Sequence, residues 1–345
     1  MSNQQLSLQL EKAGGLLVLR SKDIPSAPAG ELVIKIHATA LNPVDWKIQS
    51  MPQFLQEWPA VLGTDIAGEV EAVGEGVTKF KKGDRVLTQG AFAPARASFQ
   101  QYTILQEDLV AKLPESVSYE EAATIPLGFI TAAIGLLAPW TAALNPEVVV
   151  PPPQYTGQTI LVIGGSTSVG QYVIQLAKHL GFTNIITYAS KKHHAYLTEL
   201  GATQTLDRAA VPLSALGDAI SGTIDVVYEL VASTESQDAA TQVVRAGGKV
   251  VSVNMRDVRS DAVKEAGAGK HFYPVAGSSH MPGQEVFGAK VWAKVEKLIS
   301  EGVIKPNRYE LLPGGLNAII PGLERMRKDE VSGVKLVVRP QETEQ

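Results

Sequence analysis

One stretch constrains this chain more than any other: residues 158–181, QTILVIGGSTSVGQYVIQLAKHLG. Residues 159–163 form a short apolar, partly β-branched run, the pattern of a strand buried on both faces. Gly164 and Gly165 permit a sharp turn. From Val169 the apolar residues Val173, Ile174, Leu176, Ala177 and Leu180 follow at helical spacing until Gly181 closes the helix. Strand, glycine turn and helix present free backbone N–H groups and a positive helix end to a phosphate. Gly165, Ser166, Thr167, Ser168 and Val169 are therefore the candidate contacts on the phosphate side, three of them with hydroxyl donors.

A lone glycine turn is weak evidence, and here the context strengthens it. A second strand is expected at 184–188, a helix ending near Gly201, a third strand at 223–228 and a fourth at 249–253 after the turn Arg245-Ala-Gly-Gly. Repeated βα units imply a parallel sheet with right-handed crossovers and a ligand crevice at the strands' C-terminal ends. The expectation is an α/β fold containing a Rossmann-type, doubly wound dinucleotide-binding domain.

The end of the second strand bears on the choice of dinucleotide. An NAD-type site carries an Asp or Glu there, about 20 residues past the glycines, on the ribose 2′-OH. This chain has Tyr188-Ala189-Ser190 followed by Lys191-Lys192-His193-His194. No carboxylate repels a 2′-phosphate, and positive groups at a helix start suit a nearby anion. The plainer alternative is a solvated charge run. The pattern favours NADPH over NADH, with Ser190 as first candidate and Lys191, Lys192 and His193 beside it.

Composition narrows the classes. The 345 residues suit two domains, and 45% hydrophobic with 19% charged residues is ordinary for a soluble globular protein. A net charge of −4 leaves no basic footprint, so nucleic acid is not an expected partner. The absence of cysteine excludes disulfides, thiolate zinc sites and cysteine nucleophiles. His37, His179, His193, His194, His271 and His280 fit no zinc spacing, and His37, inside an alternating strand, reads as structural. Neither MSNQQLSLQLEK nor PQETEQ resembles a targeting signal, so a cytoplasmic location is expected. Residues 122–146 carry no charge, yet Pro126, Gly128, Gly135 and Pro139 interrupt them. A helix buried between domains is expected there rather than a membrane span.

The first 125 or so residues read as β-rich. Strand patterns lie at 31–38, 61–74, 85–88 and 101–105, with Gly63, Gly68 and Gly74 marking bends, which argues for a barrel-like domain. An extended loop at 145–158 contains Pro151-Pro152-Pro153. Residues 258–284 look irregular, helices are expected at 285–300 and 316–327, and a closing strand at 334–338.

The motifs Ala40-Leu-Asn-Pro-Val-Asp-Trp-Lys47, Val61-Leu-Gly-Thr-Asp-Ile-Ala-Gly68, the run 77–86, the run 126–131 and Val331-Ser-Gly-Val-Lys-Leu-Val-Val338 span most of the chain. With them it resembles the zinc-free enoyl and quinone reductases of the medium-chain dehydrogenase/reductase superfamily. Among those it looks most like the fungal trans-acting enoyl reductases of polyketide pathways. The resemblance implies a GroES-like substrate domain from 1–128 and 288–345, and a Rossmann domain at 129–287. It implies that Asn42, Thr64 and Leu127 stand where zinc relatives hold the metal, and no ligand set results. It places Asn42, Asp45 and Lys47 at the substrate cleft, Lys47 either meeting a developing oxyanion or substrate tail, or merely pairing with Asp45 or a phosphate. It places Thr131, Leu230, Val231, Asn254 and Phe287 along the cofactor, and Arg208 where its fork can meet a 2′-phosphate.

Without a metal, hydride from a nicotinamide needs an acceptor that is already electrophilic. The expected function is NADPH-dependent reduction of the C=C bond of an α,β-unsaturated carbonyl, by hydride transfer to the β-carbon. NADPH:quinone reduction is the alternative within the class. A non-catalytic cofactor-binding or interaction protein is the alternative outside it. An acyl carrier or polyketide synthase is a candidate partner, with no membrane, and the chain as monomer or homodimer.

Overall fold

Alternation of apolar and polar residues builds the first half of the chain. In the computed structural model, which describes residues 4–50, 55 and 57–344, strands β1 (Gln4–Leu10) and β2 (Leu17–Asp23) pair as a hairpin. β3 (Glu31–Ala40) leads to helix α1 (Pro43–Ser50) and the short β4 (Ala60–Val61), which joins β1. β5 (Asp65–Val73), β6 (Arg85–Gln89), β7 (Tyr102–Gln106) and β8 (Val110–Lys112) complete an antiparallel sheet around β3. Leu32, Ile34, Ile36, Ile66, Val70, Val86 and Leu105 form its core. Gly68 permits the close pairing, since a Cβ there would lie 2.0 Å from the Lys35 carbonyl oxygen. Helix α2 (Tyr119–Ala123) begins with a capping box between Ser118 and Glu121.

Helix α3 (Pro126–Leu137) follows, buried along nearly its whole length. Beyond it β9 (Thr159–Ile163), α4 (Ser168–His179), β10 (Asn184–Ala189), α5 (His194–Leu200), β11 (Gln204–Asp207), α6 (Leu216–Ala219) and β12 (Ile224–Glu229) alternate. α7 (Thr234–Val243), β13 (Val244–Ser252), α8 (Asp261–Ala266) and β14 (His271–Pro274) continue the pattern. The six strands form one parallel sheet in the order β11-β10-β9-β12-β13-β14. The order reverses between β9 and β12, the switch point at which such sheets open a ligand crevice. Inside this unit Tyr228 Oη donates to the Thr131 carbonyl at 2.7 Å. Gly135 makes room for that phenol, because a Cβ there would sit 2.3 Å from its oxygen.

The chain then returns to the first sheet. Helix α9 (Glu285–Ser300), β15 (Tyr309–Leu311), α10 (Ile319–Arg327) and β16 (Lys335–Val338) follow, with β16 antiparallel to β3. The chain divides into Met1–Leu127 with Ser278–Gln345, and Gly128–Gly277. The resemblance implied a second crossing at 287/288. The difference has a local cause: Ser279 donates through both N and Oγ to Gln89 Oε1, at 2.9 and 3.1 Å, and the His280 ring bonds the Gln89 carbonyl at 2.6 Å. Among the described residues no helix is long and apolar enough to cross a membrane.

Candidate functional site

The glycine turn after β9 forms as the sequence pattern requires. Gly164 has φ 92°, and a Cβ on Gly165 would lie 1.7 Å from Thr187 Oγ1 on β10, so only glycine fits. Most of the turn's donors are already used. Gly164 N and Gly165 N point to the Tyr188 carbonyl and Thr167 N to the Gly164 carbonyl. Thr167 caps α4, its oxygen accepting from Gly170 N at 3.0 Å. Gln171 Nε2 holds the Ser166 carbonyl at 3.0 Å. What remains at the start of α4 are the N–H groups of Ser166 and Val169, which reach no partner among the described residues. Ser168 opens the helix beside them. Two unspent N–H groups at a positive helix end suit a pyrophosphate.

The second strand ends at Ala189, whose carbonyl accepts from Arg208 N at 3.1 Å. Ser190 and Arg208 are thereby brought to one strand end from different loops. Among the described residues the Ser190 hydroxyl caps nothing and has no hydrogen-bond partner, and the exposed Arg208 guanidinium has no ion pair; Lys191 is exposed. His193 is only 5% exposed, packed inside the fold. Asp207, which ends β11, brings a carboxylate to this corner and accepts from Ala209 N. Tyr188 Oη donates to the Val211 carbonyl at 2.8 Å and so ties down the loop that carries Arg208.

Across the switch point, Leu230 N donates to the Ile163 carbonyl, which puts residue 230 beside the glycine turn. Val231 is 52% exposed, an unusual state for valine, and Ala232 has φ 65°. Asn254 Nδ2 donates to the Ala232 carbonyl, and its Oδ1 accepts from Arg256 N. Its amide therefore shapes the loop. Thr131, on α3, lies so close to Gly277 that a Cβ there would meet its Oγ1 at 1.9 Å. Ser166, Val169, Leu230, Val231 and Asn254 thus line the C-terminal edge of one sheet.

The first unit holds a second polar centre. Asn42 lies between β3 and α1, Asp45 in the first turn of α1, Asp65 opens β5 and Lys335 opens β16; all four are buried. Lys335 Nζ donates to Asn42 Oδ1 at 2.7 Å and forms a short ion pair with Asp65. Asn42 Nδ2 donates to Asp65 Oδ2 at 2.8 Å, and Asp65 Oδ1 accepts Leu127 N at 2.7 Å. Asn42 N donates to Asp45 Oδ2 at 2.8 Å, while Asp45 Oδ1 and Thr64 Oγ1 are buried without a hydrogen-bond partner among the described residues. Burial pushes the Asp45 carboxyl up to about 7, with the Asp65 charge adding to the rise while Asn42 N–H and Lys335 oppose it.

This centre does not fit a zinc ion. The Asn42 oxygen is taken by an ammonium, Leu127 offers no side-chain donor, and Lys335 already supplies the positive charge. Among the described residues no His/Asp/Glu cluster could hold a metal. Lys47 lies elsewhere on α1. It is exposed, 5.6 Å from the Trp46 ring centroid, and makes no ion pair with Asp45. Phe287 is buried on the inner face of α9. His37 stacks on Tyr119 with centroids 4.5 Å apart and stands 3.6 Å from Glu69, a structural arrangement.

Sequence reasoning did not single out Asp65, Lys335 or Glu229. The signal for Lys335 is a lysine beginning the apolar run KLVV; for Glu229 it is an acid closing the apolar run IDVVY.

Comparison with known proteins agrees with this division. Residues 28–115 match the alcohol dehydrogenase GroES-like domain family and residues 168–279 the zinc-binding dehydrogenase family. The chain is 42% identical over 217 residues to dehydrogenase pigH of Monascus ruber, covering 60% of this chain and 58% of that one. The match thus spans little more than half of that relative's length. Trans-enoyl reductase himH of Aspergillus japonicus is 32% identical over 322 residues, 89% of each chain. LovC of Aspergillus terreus, the enoyl reductase component of lovastatin nonaketide synthase, is 29% identical over 97% of this chain and 96% of its own. An alcohol dehydrogenase superfamily protein from Novosphingobium aromaticivorans superposes with a TM-score of 0.83 at 25% identity, covering 97% of this chain and 99% of that one.

Proposed function

The chain belongs to the medium-chain dehydrogenase/reductase superfamily, and from that premise we propose that it reduces the C=C bond of α,β-unsaturated carbonyl compounds with NADPH and without zinc. A nicotinamide cofactor held at the edge of the parallel sheet would supply the hydride for the acceptor's β-carbon. The chain's own residues do the rest. Ser166 and Val169 N–H hold the pyrophosphate. Ser190, Lys191 and Arg208 meet the 2′-phosphate, the guanidinium with two parallel hydrogen bonds. Thr131, Leu230 and Val231 border the nicotinamide half, and Asn254 holds their loop.

The observation that supports the metal-free reading is the Lys335–Asp65–Asn42 cluster, in which an ammonium is bonded to Asn42, one of the positions where the resemblance would set a metal ligand. The same cluster uses up the Asn42 amide, so Asn42 and Asp45 act as positioning residues. Lys47, exposed and without an ion pair among the described residues, is the group assigned to meet the acceptor's carbonyl oxygen or a polar tail. The names of himH and lovC favour an enoyl substrate, and that of lovC favours an acyl chain presented by a polyketide synthase. A cytoplasmic location accords with this reading.

The test is NADPH consumption with 2-enals, enones, enoyl thioesters and naphthoquinones in the presence of a chelator. Turnover of enones or enoyl thioesters is the expected result. Turnover of quinones alone would identify a quinone reductase instead, and background rates with every acceptor would leave a non-catalytic binding protein.

A further inference from the structure

Glu229 ends β12 with no exposed surface, in register with Ile163 of β9 on one side and Ser252 of β13 on the other. Its carboxylate is surrounded by donors. Oε1 accepts from Val231 N and Ala232 N, both at 2.7 Å, and from Ser236 Oγ at 2.8 Å. Oε2 accepts from Ser252 Oγ at 2.7 Å, and Ser252 Oγ in turn accepts from Gln237 Nε2 and Asn254 N. Among the described residues no lysine, arginine or histidine pairs with it. Donors thus face both carboxylate oxygens, the arrangement in which a carboxylate accepts at each oxygen.

The position of that charge matters. Residue 230 abuts the glycine turn, and a Cβ on Gly164 would lie 3.2 Å from Leu230 Cβ. In a sheet of this order the adenosine half of a dinucleotide lies over β10 and β11, and the other half crosses to the ends of β12 and β13. Ser190 and Arg208 sit on the first side, Glu229 and Ser252 on the second. Glu229 also bends residues 230–232 into the turn that leaves Val231 exposed and Ala232 left-handed.

Resting on the NADPH reading above, we propose that Glu229 is a positioning residue that also places a fixed negative charge behind the nicotinamide half of the cofactor. Its effect is to favour the oxidised, cationic ring over the reduced, neutral one. In the reaction the C4–H bond of the dihydropyridine breaks and its electron pair leaves with the hydride to the β-carbon. The ring is left as a pyridinium, and the α-carbon takes a proton from solvent. Charge develops on the ring in that step, and a fixed anion stabilises it without reorganisation.

The test is equilibrium binding of NADPH and NADP+ to the wild type, Glu229→Gln and Glu229→Asp, followed by calorimetry or protein fluorescence. Glu229→Gln should weaken NADP+ about tenfold more than NADPH, the order of effect of one unit charge acting through a poorly screened interior. Glu229→Asp, which keeps the charge, should preserve the wild-type ratio even where it weakens both. Equal losses for both forms in Glu229→Gln would reduce Glu229 to a structural role and overturn the proposal. Should Glu229→Gln fail to fold, Ser252→Ala, which removes one donor and leaves the charge, must keep the wild-type NADP+/NADPH ratio; a shift toward NADPH there would overturn it equally. Failure of the wild type to bind either form would instead strike at the cofactor reading itself.

Discussion

Lys335 and Asp65 form an ion pair in which the side chains are 4% and 0% exposed, joining the first residue of β16 to the first of β5. Such a pair gains little over apolar packing, but breaking it leaves a bare charge in the interior. Lys335→Met should therefore cost about 3–5 kcal/mol of folding stability. Lys335→Met combined with Asp65→Leu should recover a large part of that loss. Chemical denaturation of the four proteins gives the coupling; strictly additive losses would mean the two charges do not depend on each other.

Asp45 makes stability depend on pH in an unusual direction. Burial raises its carboxyl from 3.8 to about 7. The folded chain holds a proton that the unfolded chain releases between about pH 4 and 7, so stability falls as pH rises through that window and is level above it. The loss from this group is about 4 kcal/mol at most. Relative to the wild type, Asp45→Asn should gain stability steadily from the acid end of the window to its upper end. Urea unfolding across the range checks this, and a difference that does not vary with pH would contradict it.

Gly165 is fixed by Thr187. Gly165→Ala would drive a methyl to 1.7 Å from Thr187 Oγ1, forcing the turn outward and costing about 1–3 kcal/mol along with NADPH affinity. Thr187→Ala in the same chain removes that oxygen and leaves the methyl facing Thr187 Cβ at 3.0 Å. The double variant should regain part of both losses. Melting curves and NADPH titration read them separately, and no recovery in either would place the strain elsewhere.

Ser190 and Arg208 should separate the two coenzymes. Arg208→Ala should weaken NADPH about tenfold while leaving NADH nearly unchanged, as the loss of one charge-assisted contact to a phosphate requires. Ser190→Asp should act in the same sense by repelling the 2′-phosphate. Dissociation constants for both coenzymes decide it: parallel losses would remove these residues from the 2′-phosphate site.

The glycine turn was legible because its chemistry is local. The residues of β9 and of α9 coincide with the apolar runs that announced them. Edge strands were not legible. β11 (QTLD) and β14 (HFYP) have four residues each, most of them exposed or polar, and so carry little of the apolar signal that marks a central strand. The turn expected at Arg245-Ala-Gly-Gly lies within β13, where the ladder to β12 is irregular between Ile224 and Val226 and Gly247 takes φ 69°. The residues at 316–327 begin as a 3-10 turn before α10, in keeping with Pro321 in its first turn. In the candidate site, the glycine turn and the start of α4 lie in one segment. The Asn42–Asp65–Lys335 cluster was not legible, because its members are brought together from segments up to 293 positions apart.

The most direct measurement follows the label from NADPH deuterated at the transferable C4 position, using chelator-treated protein shown by elemental analysis to contain no zinc. With an enone or enoyl thioester as acceptor, the account predicts undiminished turnover and deuterium on the β-carbon of the saturated product. Activity that vanishes with the chelator and returns with zinc, or a saturated product without label at the β-carbon, would contradict it.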